Sequence, residues 1–250
     1  MLILDVITPN ETMLKNDRKL VLTGFERFTL NRNGKDGGGV ANCVRRKELE
    51  ETLKTFEGKD DLELIIPRHS QFTTTVDIIN FYGVVESRAK KEDIDRRWNI
   101  IKSQITKIEA EGEFLILIGD LNAHVGDFIP GNSRKKSYGG SLLHEFLNNN
   151  DNYVLVNSSN KTSGGPYTRI DPADPSKKSA LDLCLVSAEL YPYIKSMVVD
   201  DARIFTPFRP LSKTQVTYTD HYAIRLTFQN LPVVNKRTIK RKGITRWNTN

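Results

Sequence analysis

The chain has 250 residues, of which 38% are hydrophobic and 27% are charged, which fits one large α/β domain or two small ones. It contains no apolar run of membrane-spanning length, and its N-terminal segment is too short and wrongly flanked for a signal peptide. The two cysteines form no metal motif and the four histidines no zinc-like spacing, so we expect an intracellular protein with reduced core thiols.

The net charge of +6 is concentrated near the C-terminal end of the sequence. Six basic residues lie between positions 236 and 246, and no acidic residue follows Asp220. Removing these six from the 37 basic residues leaves 31, which equals the number of acidic residues. We therefore divide the chain into a domain at 1–232 and a basic linker or tail at 233–250. Such a tail could contact nucleic-acid phosphates or act as a solvated linker, and the sequence favours neither.

Short strands dominate the first part of the chain. Apolar or β-branched composition predicts strands at 2–7, 40–44, 62–66 and 73–81, and short strand candidates at 19–22 and 26–30. The glycine-rich segment 31–39 lacks the ending of a phosphate-binding loop, so we interpret it as the turn of a hairpin.

The clearest helix covers 88–111, where isoleucines and one tryptophan recur every three or four residues as one apolar stripe. The stripe consists of Ile94, Trp98, Ile101, Ile105 and Ile108. We interpret Trp98 as a core residue rather than as a platform for nucleic-acid bases. The apolar run 114–118 follows and fits a strand buried on both faces, which completes a βαβ unit with a right-handed crossover.

The second half of the chain is also rich in strands. The pattern predicts a short helix at 141–148, which leaves His144 on the surface. Strands are predicted at 153–157, 179–187, 197–201 and 223–228, and 167–169 is a further candidate. Many strands and few helices indicate stacked sheets covered by helices.

Carboxylates interrupt apolar strands or follow their ends at four places. They are Glu11, Asp120, Asp182 and Asp220. A buried carboxylate without a partner is costly, so each needs a metal ion, a histidine or a backbone donor.

Two of these acids have a polar neighbour. Asn122 follows Asp120 at a spacing of two, which in extended chain points both side chains the same way. The alternative is an Asx turn after a strand. Asp220 and His221 are adjacent and would point opposite ways in a strand, so we expect Asp182 to orient His221 instead.

Three motifs resemble those of the endonuclease/exonuclease/phosphatase family in order and spacing. GDLNAHVG at 119–126, SALDLCLVS at 179–187 and TDH at 219–221 look like the Asp-x-Asn, Ile-Asp and Ser-Asp-His motifs of that family. The resemblance is strongest to the endonuclease domains of non-LTR (LINE-type) retrotransposons, and sequences described as craniofacial development protein 2-like share it. Supporting segments are ETML at 11–14, GGGVANCVR at 37–45, NFYG at 80–83 and ITRWN at 244–248.

The resemblance implies a four-layer α/β/β/α sandwich of the DNase I-like kind and a nuclear location. It implies an endonuclease that depends on Mg²⁺ or Mn²⁺, cuts DNA and leaves a 3′-hydroxyl, as in retrotransposon target-site nicking. RNA is a second candidate ligand for the basic tail, and a reverse transcriptase domain would follow in the full-length element. Two alternatives stay open: an inactive remnant that binds nucleic acid through its tail, and a phosphoesterase acting on a small substrate.

Metal-binding and phosphate-contacting roles are carried over from the resemblance. Glu11 and Asp220 resemble the acids of the metal site, and Tyr82 resembles the tyrosine that hydrogen-bonds the scissile phosphate. Thr168 lies where the retrotransposon enzymes have a phosphate-contacting threonine, and Thr219 replaces the usual serine. The structural alternatives are a core phenol for Tyr82 and local backbone-bonding hydroxyls for both threonines.

The remaining roles concern the reaction itself. Asp120 resembles the acid that positions or deprotonates the attacking water, and Asn122 the amide that steadies phosphate and water. Asp182 resembles the acid that orients the histidine, and His221 the imidazole that contacts the phosphoryl oxygens in the transition state. His124 is interpreted as a loop residue.

The chain departs from the family pattern at its beginning. Family members start with a strand that bears a metal-holding asparagine, whereas this sequence starts at what resembles the second strand, as if truncated. Asn10 precedes Glu11 but falls in the predicted turn, so we expect it to be a poor substitute. Loss of a central strand would leave an unpaired edge in one sheet.

Overall fold

The computed structural model describes residues 6–10, 12, 20, 22–30, 39–45, 63–65, 68–69, 76–112, 114–132, 134–204, 208–210, 216–218 and 220–229. Glu11, Thr219 and the tail at 233–250 lie outside the described residues, so the predictions made for them stay predictions.

Sixteen strands and two α-helices are found in these ranges. The strands are β1 (Val6–Ile7), β2 (Phe25–Leu30), β3 (Val40–Arg45), β4 (Glu63–Ile65), β5 (Arg68–His69), β6 (Val76–Tyr82), β7 (Phe114–Asp120), β8 (Tyr153–Leu155), β9 (Thr162–Ser163), β10 (Arg169–Ile170), β11 (Lys178–Ser179), β12 (Asp182–Ser187), β13 (Ile194–Val199), β14 (Phe208–Pro210), β15 (Val216–Tyr218) and β16 (Ile224–Phe228). The helices are α1 (Lys91–Glu111) and α2 (Tyr138–Asn148).

A six-stranded sheet forms the centre of the fold. Its strands run in the order β4-β6-β7-β12-β8, with β5 also paired to β6. β6 and β7 are parallel and α1 connects them, which confirms the predicted βαβ unit, while β12 is antiparallel to β7. Because consecutive side chains alternate across a strand, Leu115 and Leu117 face one layer, and Ile116 faces the other.

Both helices cover one face of the central sheet. The predicted apolar stripe of α1 packs there, and Trp98 is buried with its ring edge against Phe146, 5.8 Å between ring centres, which confirms its core role. α1 begins at Lys91 rather than at 88, because a 3₁₀ turn at Glu86–Arg88 precedes it. α2 begins three residues before the predicted start, since the Ser137 hydroxyl accepts the N–H of Gly140 and caps the helix. Neither helix is long and apolar enough to cross a membrane.

Two three-stranded sheets cover the opposite face, in the orders β1-β3-β2 and β16-β13-β9. The antiparallel pair of β2 and β3 confirms the predicted hairpin. Helices, central sheet and covering sheets form three successive layers, α/β/β, of the predicted α/β/β/α class, and no α-helix among the described residues covers the outer sheets. Within the described residues, β1 and β16 each pair along one edge only.

The thiols of Cys43 and Cys184 are both buried and form no disulfide. Burial raises the pKa of Cys184 to about 12, as expected of a core cysteine.

Candidate active site

Two carboxylates lie side by side where β7 ends and its neighbour β12 begins in the central sheet. Asp120 is the last residue of β7, Asp182 is the first of β12, and the antiparallel register places them directly opposite each other. Residues that are directly opposite in a sheet share one face, so both side chains lie on the same side. Asp120 is only 4% exposed. The strand predicted at 114–118 thus continues through Gly119 to Asp120, which lies at the edge of the core.

The turn after β7 binds Asp120 tightly to Asn122. The backbone N–H of Asn122 donates to Asp120 Oδ1 over 2.8 Å, and its side-chain Nδ2 donates to Asp120 Oδ2 over 3.1 Å. Asn122 has φ +49°, so the extended chain assumed from the spacing is wrong and the Asx turn is correct. The two side chains nevertheless meet, and Asn122 Nδ2 also reaches the carbonyl of Gly83 over 3.0 Å.

The His221 imidazole lies between the two carboxylates. Its Nδ1 is 2.8 Å from Asp182 Oδ2, and its Nε2 is 3.9 Å from Asp120 Oδ2. Burial alone would lower the pKa of His221, but the hydrogen bond to Asp182 and the charges of Asp182, Asp120 and Asp220 raise it to about 9. The imidazole is therefore cationic at neutral pH, with Nδ1–H directed at Asp182 and Nε2 on the side of Asp120.

The variant Asp182→Asn is expected to lower the pKa of His221 well below about 9, because it removes both the charge and the carboxylate acceptor while keeping the side-chain shape. An NMR titration of the imidazole measures this directly. Asp151→Asn, in an exposed turn, is the matched control and should leave the titration unchanged. An identical His221 titration in wild type and the Asp182 variant would contradict the assigned pairing.

The same interaction links stability to pH. The pKa of His221 rises from an ordinary 6.5 to about 9 in the folded chain, so the proton is bound more tightly in the folded state. This contribution to the free energy of unfolding is complete below about pH 6.5 and is lost as the pH rises through about 9.

Thr168 supports the start of β12 through its hydroxyl. It is 1% exposed, and its hydroxyl oxygen accepts the backbone N–H groups of Leu181 and Asp182, each over 2.9 Å. These two bonds confirm the backbone-bonding alternative for the hydroxyl oxygen. The phosphate contact of Thr168 stays a prediction, because the hydroxyl keeps its own O–H as a donor. These bonds also explain why β12 begins at Asp182 rather than at 179, since the N–H of Leu181 points to a side chain.

The variant Thr168→Val is expected to reduce the free energy of unfolding by about 1–3 kcal/mol, because it leaves two buried N–H groups without an acceptor. Thr168→Ser keeps the hydroxyl and should lose much less. Denaturant unfolding of both variants measures the difference. Equal stability of the valine and serine variants would show that the hydroxyl contributes nothing.

Asp220 lies at the rim of the site in an ion pair that the sequence did not predict. Arg169 Nε donates to Asp220 Oδ2 over 2.8 Å, and the two side chains are 29% and 31% exposed. Asp220 and His221 therefore have different partners, as expected of neighbours on an extended segment. The only sequence signal for Arg169 was its position directly after Thr168.

Asn157 is a second residue that the sequence analysis missed. It fixes the start of β12 by donating to the Asp182 carbonyl over 3.1 Å and accepting from the Cys184 N–H over 2.7 Å.

Tyr82 and Asn10 approach the site from the neighbouring strands. Tyr82 is the half-buried last residue of β6, and the next residue, Gly83, donates its N–H to the Asp120 carbonyl over 2.7 Å. Asn10 forms a bridge with Val40 rather than lying in a free turn, and its Nδ2 is 3.4 Å from the Phe81 carbonyl. Its Oδ1 is buried without a hydrogen-bond partner among the described residues, so Asn10 presents an unused oxygen near β7.

Gly119 makes this close packing possible. It has φ +148°, and a Cβ there would lie 2.2 Å from the Phe81 carbonyl and 2.9 Å from Asn10 Nδ2. Any other residue would push Asn10 and β6 away from the strand end that carries Asp120.

The donors present here fit a magnesium ion in their chemistry. Asp220 and the unpartnered Oδ1 of Asn10 offer oxygen, the donor that Mg²⁺ prefers, and the predicted ligand Glu11 lies outside the described residues. Across the described ranges no three His, Cys, Asp or Glu side chains form a ready-made metal cage. Mg²⁺ is commonly held by one or two carboxylates together with waters and substrate phosphates, so such a cage is not required.

Comparison with known proteins identifies the architecture. Neither a family model nor a curated protein matches the sequence. Solved structures do: a 3′-5′ exonuclease from Neisseria meningitidis has a TM-score of 0.68 at 18% identity, over 90% of this chain and 89% of that chain. An AP endonuclease from Archaeoglobus fulgidus has a TM-score of 0.60 at 15% identity, over 90% and 88%. The endonuclease domain of TRAS1, a telomere-specific non-LTR retrotransposon, has 0.59 at 15%, over 83% and 80%. At such low identity these likenesses show a shared fold.

Proposed function

From the endonuclease/exonuclease/phosphatase fold that this chain shares with those structures, we propose that it is a divalent-metal-dependent endonuclease that hydrolyses DNA phosphodiester bonds and leaves a 3′-hydroxyl. The observation that carries the proposal is the position of the His221 imidazole between Asp182, at 2.8 Å, and Asp120, at 3.9 Å. The motif resemblance to retrotransposon endonucleases adds target-site nicking in the nucleus as the setting of this activity.

His221 supplies positive charge where the reaction needs it. Phosphodiester hydrolysis builds negative charge on the phosphoryl oxygens, and a fixed cationic donor stabilises that charge. With a pKa of about 9, His221 is protonated at neutral pH, and the hydrogen bond from Nδ1 to Asp182 fixes the ring with its Nε2 side toward Asp120. The 3.9 Å between Nε2 and Asp120 Oδ2 is too long for a direct hydrogen bond and leaves room for an intervening oxygen.

Asp120 and Asn122 act on the attacking water. The two hydrogen bonds from Asn122 fix the Asp120 carboxylate, and its remaining lone pairs can accept a proton from water. Glu11 and Asp220 would hold Mg²⁺ or Mn²⁺, with the Asn10 oxygen as a further donor. When bound, the ion would supply Lewis acidity toward the phosphate and the leaving oxygen.

A plasmid-nicking assay tests the proposal. We expect supercoiled DNA to become nicked circles with Mg²⁺ and to stay intact with EDTA, and DNA polymerase to extend the nicks directly because they end in a 3′-hydroxyl. Supercoiled DNA that stays intact with both Mg²⁺ and Mn²⁺ would refute the endonuclease.

A phosphatase is the second candidate, because the likeness in fold extends to a Neisseria 3′ phosphatase whose structure contains a product DNA hairpin, with a TM-score of 0.67 at 18% identity. Release of inorganic phosphate from a 3′-phosphorylated hairpin, with the internal bonds left intact, would select this function over the endonuclease.

A further inference from the structure

The backbone of Arg169 is fixed against the segment that carries His221. The two residues form an antiparallel bridge. Hydrogen bonds flank that bridge on both sides, from the Ile170 N–H to the Asp220 carbonyl over 2.9 Å and from the Tyr222 N–H to the Thr168 carbonyl over 2.7 Å. Arg169 is therefore held at the site by the same backbone contacts that place the catalytic histidine.

The ion pair of Arg169 leaves most of its guanidinium unused. Nε donates to Asp220 Oδ2, and no further hydrogen bond or ion pair of this side chain is found among the described residues. A guanidinium has five N–H donors in a rigid fork, so its terminal nitrogens remain for an anion. A pair exposed to this degree contributes little to the stability of a fold, so stability alone is a weak reason for an arginine here.

The charge of Arg169 reaches the loop that follows β7. His124 lies two residues after Asn122 on the loop after β7. Its pKa is lowered by burial and by the charges of Arg134 and Arg169, and is raised by the charge of Glu86. The guanidinium thus lies within electrostatic range of that loop. Asp120, Asp182 and Asp220 all carry negative charge at the site, so an approaching phosphodiester needs cations besides His221.

We propose that Arg169 is a substrate-binding residue whose terminal nitrogens hold a phosphate of the DNA, while Asp220 orients the guanidinium through Nε. The inference rests on the proposed function in taking DNA as the ligand. A bidentate guanidinium matches the geometry of phosphate oxygens, and its fixed position next to His221 directs it to a phosphate at or beside the scissile bond.

Binding of a fluorescent DNA duplex, measured by anisotropy in EDTA at several salt concentrations, tests the proposal without cleavage. Arg169→Gln should weaken binding about 5- to 10-fold and reduce the slope of log K against log salt by about 1, because one phosphate contact is lost. Arg169→Lys should keep the slope but lose part of the affinity. Arg96→Gln, the same charge change on the outer surface of α1, is the control and should bind like wild type.

An unchanged slope in Arg169→Gln would overturn the proposal, and a lower thermal midpoint with that unchanged slope would identify Arg169 as a structural partner of Asp220. Wild-type chain that does not bind duplex at all would overturn it as well. Duplex binding that depends on Arg169 without any nicking would refute the endonuclease and keep this inference. Nicking by the wild-type chain, together with an unchanged slope in Arg169→Gln, would keep the endonuclease and overturn this inference.

Discussion

Replacing His221 with glutamine is expected to reduce DNA nicking by about 10²- to 10³-fold, the usual cost of losing one donor to a developing negative charge. Glutamine can still donate a hydrogen bond, but it carries no charge and cannot keep the contact to Asp182 that holds the ring at 2.8 Å. The loss should fall on the cleavage rate more than on duplex binding, because the imidazolium acts most strongly when charge develops. Rates of nicked-circle formation at saturating DNA measure it.

His144→Gln is the matched control for this variant. That imidazole contacts Asn148 and the ring of Phe128, away from Asp120 and Asp182, so its loss should leave nicking unchanged. If the His221 variant nicks as fast as wild type, the imidazole is not part of the reaction and the proposed mechanism fails.

Sequence reasoning predicted the parts of the fold that depend on local pattern. The stripe of α1 and the apolar run of β7 are periodic signals, and the structure has both elements with boundaries shifted by a few residues. The shifts arise where a side chain or short turn competes with the backbone, as with Ser137 at the start of α2. Such competition depends on contacts between segments that a one-dimensional pattern does not contain.

The polar residues at strand ends were predictable for a related reason. A carboxylate at the end of a buried strand is costly, which singled out Asp120 and Asp182, and alternation along a strand indicated that Asp220 would not orient His221. The structure brings Asp120, Asp182 and His221 together and gives Asp220 a different partner. Their catalytic roles remain predictions, which the variants of these three residues test.

Residues whose roles depend on distant partners could not be predicted. Thr168 was assigned to phosphate by its place in a motif, and the backbone N–H groups that its hydroxyl oxygen accepts lie more than ten positions away. Arg169 had no pattern of its own, and its importance follows from a bridge to His221 across 52 positions of sequence. Asn10 was assigned to a turn because its partner across the sheet, Val40, is 30 positions away.

The variant Asp120→Asn is expected to lower the nicking rate by about 10²- to 10⁴-fold, the range for losing a positioned general base. An amide has almost the shape of the carboxylate, but it cannot take a proton from water. An NH₂ group in place of Oδ2 would also face the Asn122 side-chain amide, which donates to Oδ2 in the wild-type chain. The loss of negative charge next to His221 should also lower the pKa of the imidazole, because Asp120 is one of the charges that raise it.

Asp127→Asn serves as the matched control for this variant, since Asp127 is exposed on the loop that follows the same strand. It makes the same change of charge seven residues further along the chain and should nick like wild type. Thermal unfolding of both variants separates lost chemistry from lost structure: the Asp120 variant should keep a cooperative transition while its nicking is nearly abolished. Activity retained in a folded Asp120→Asn chain would show that another group activates the water, and Glu11 would then be the next carboxylate to replace.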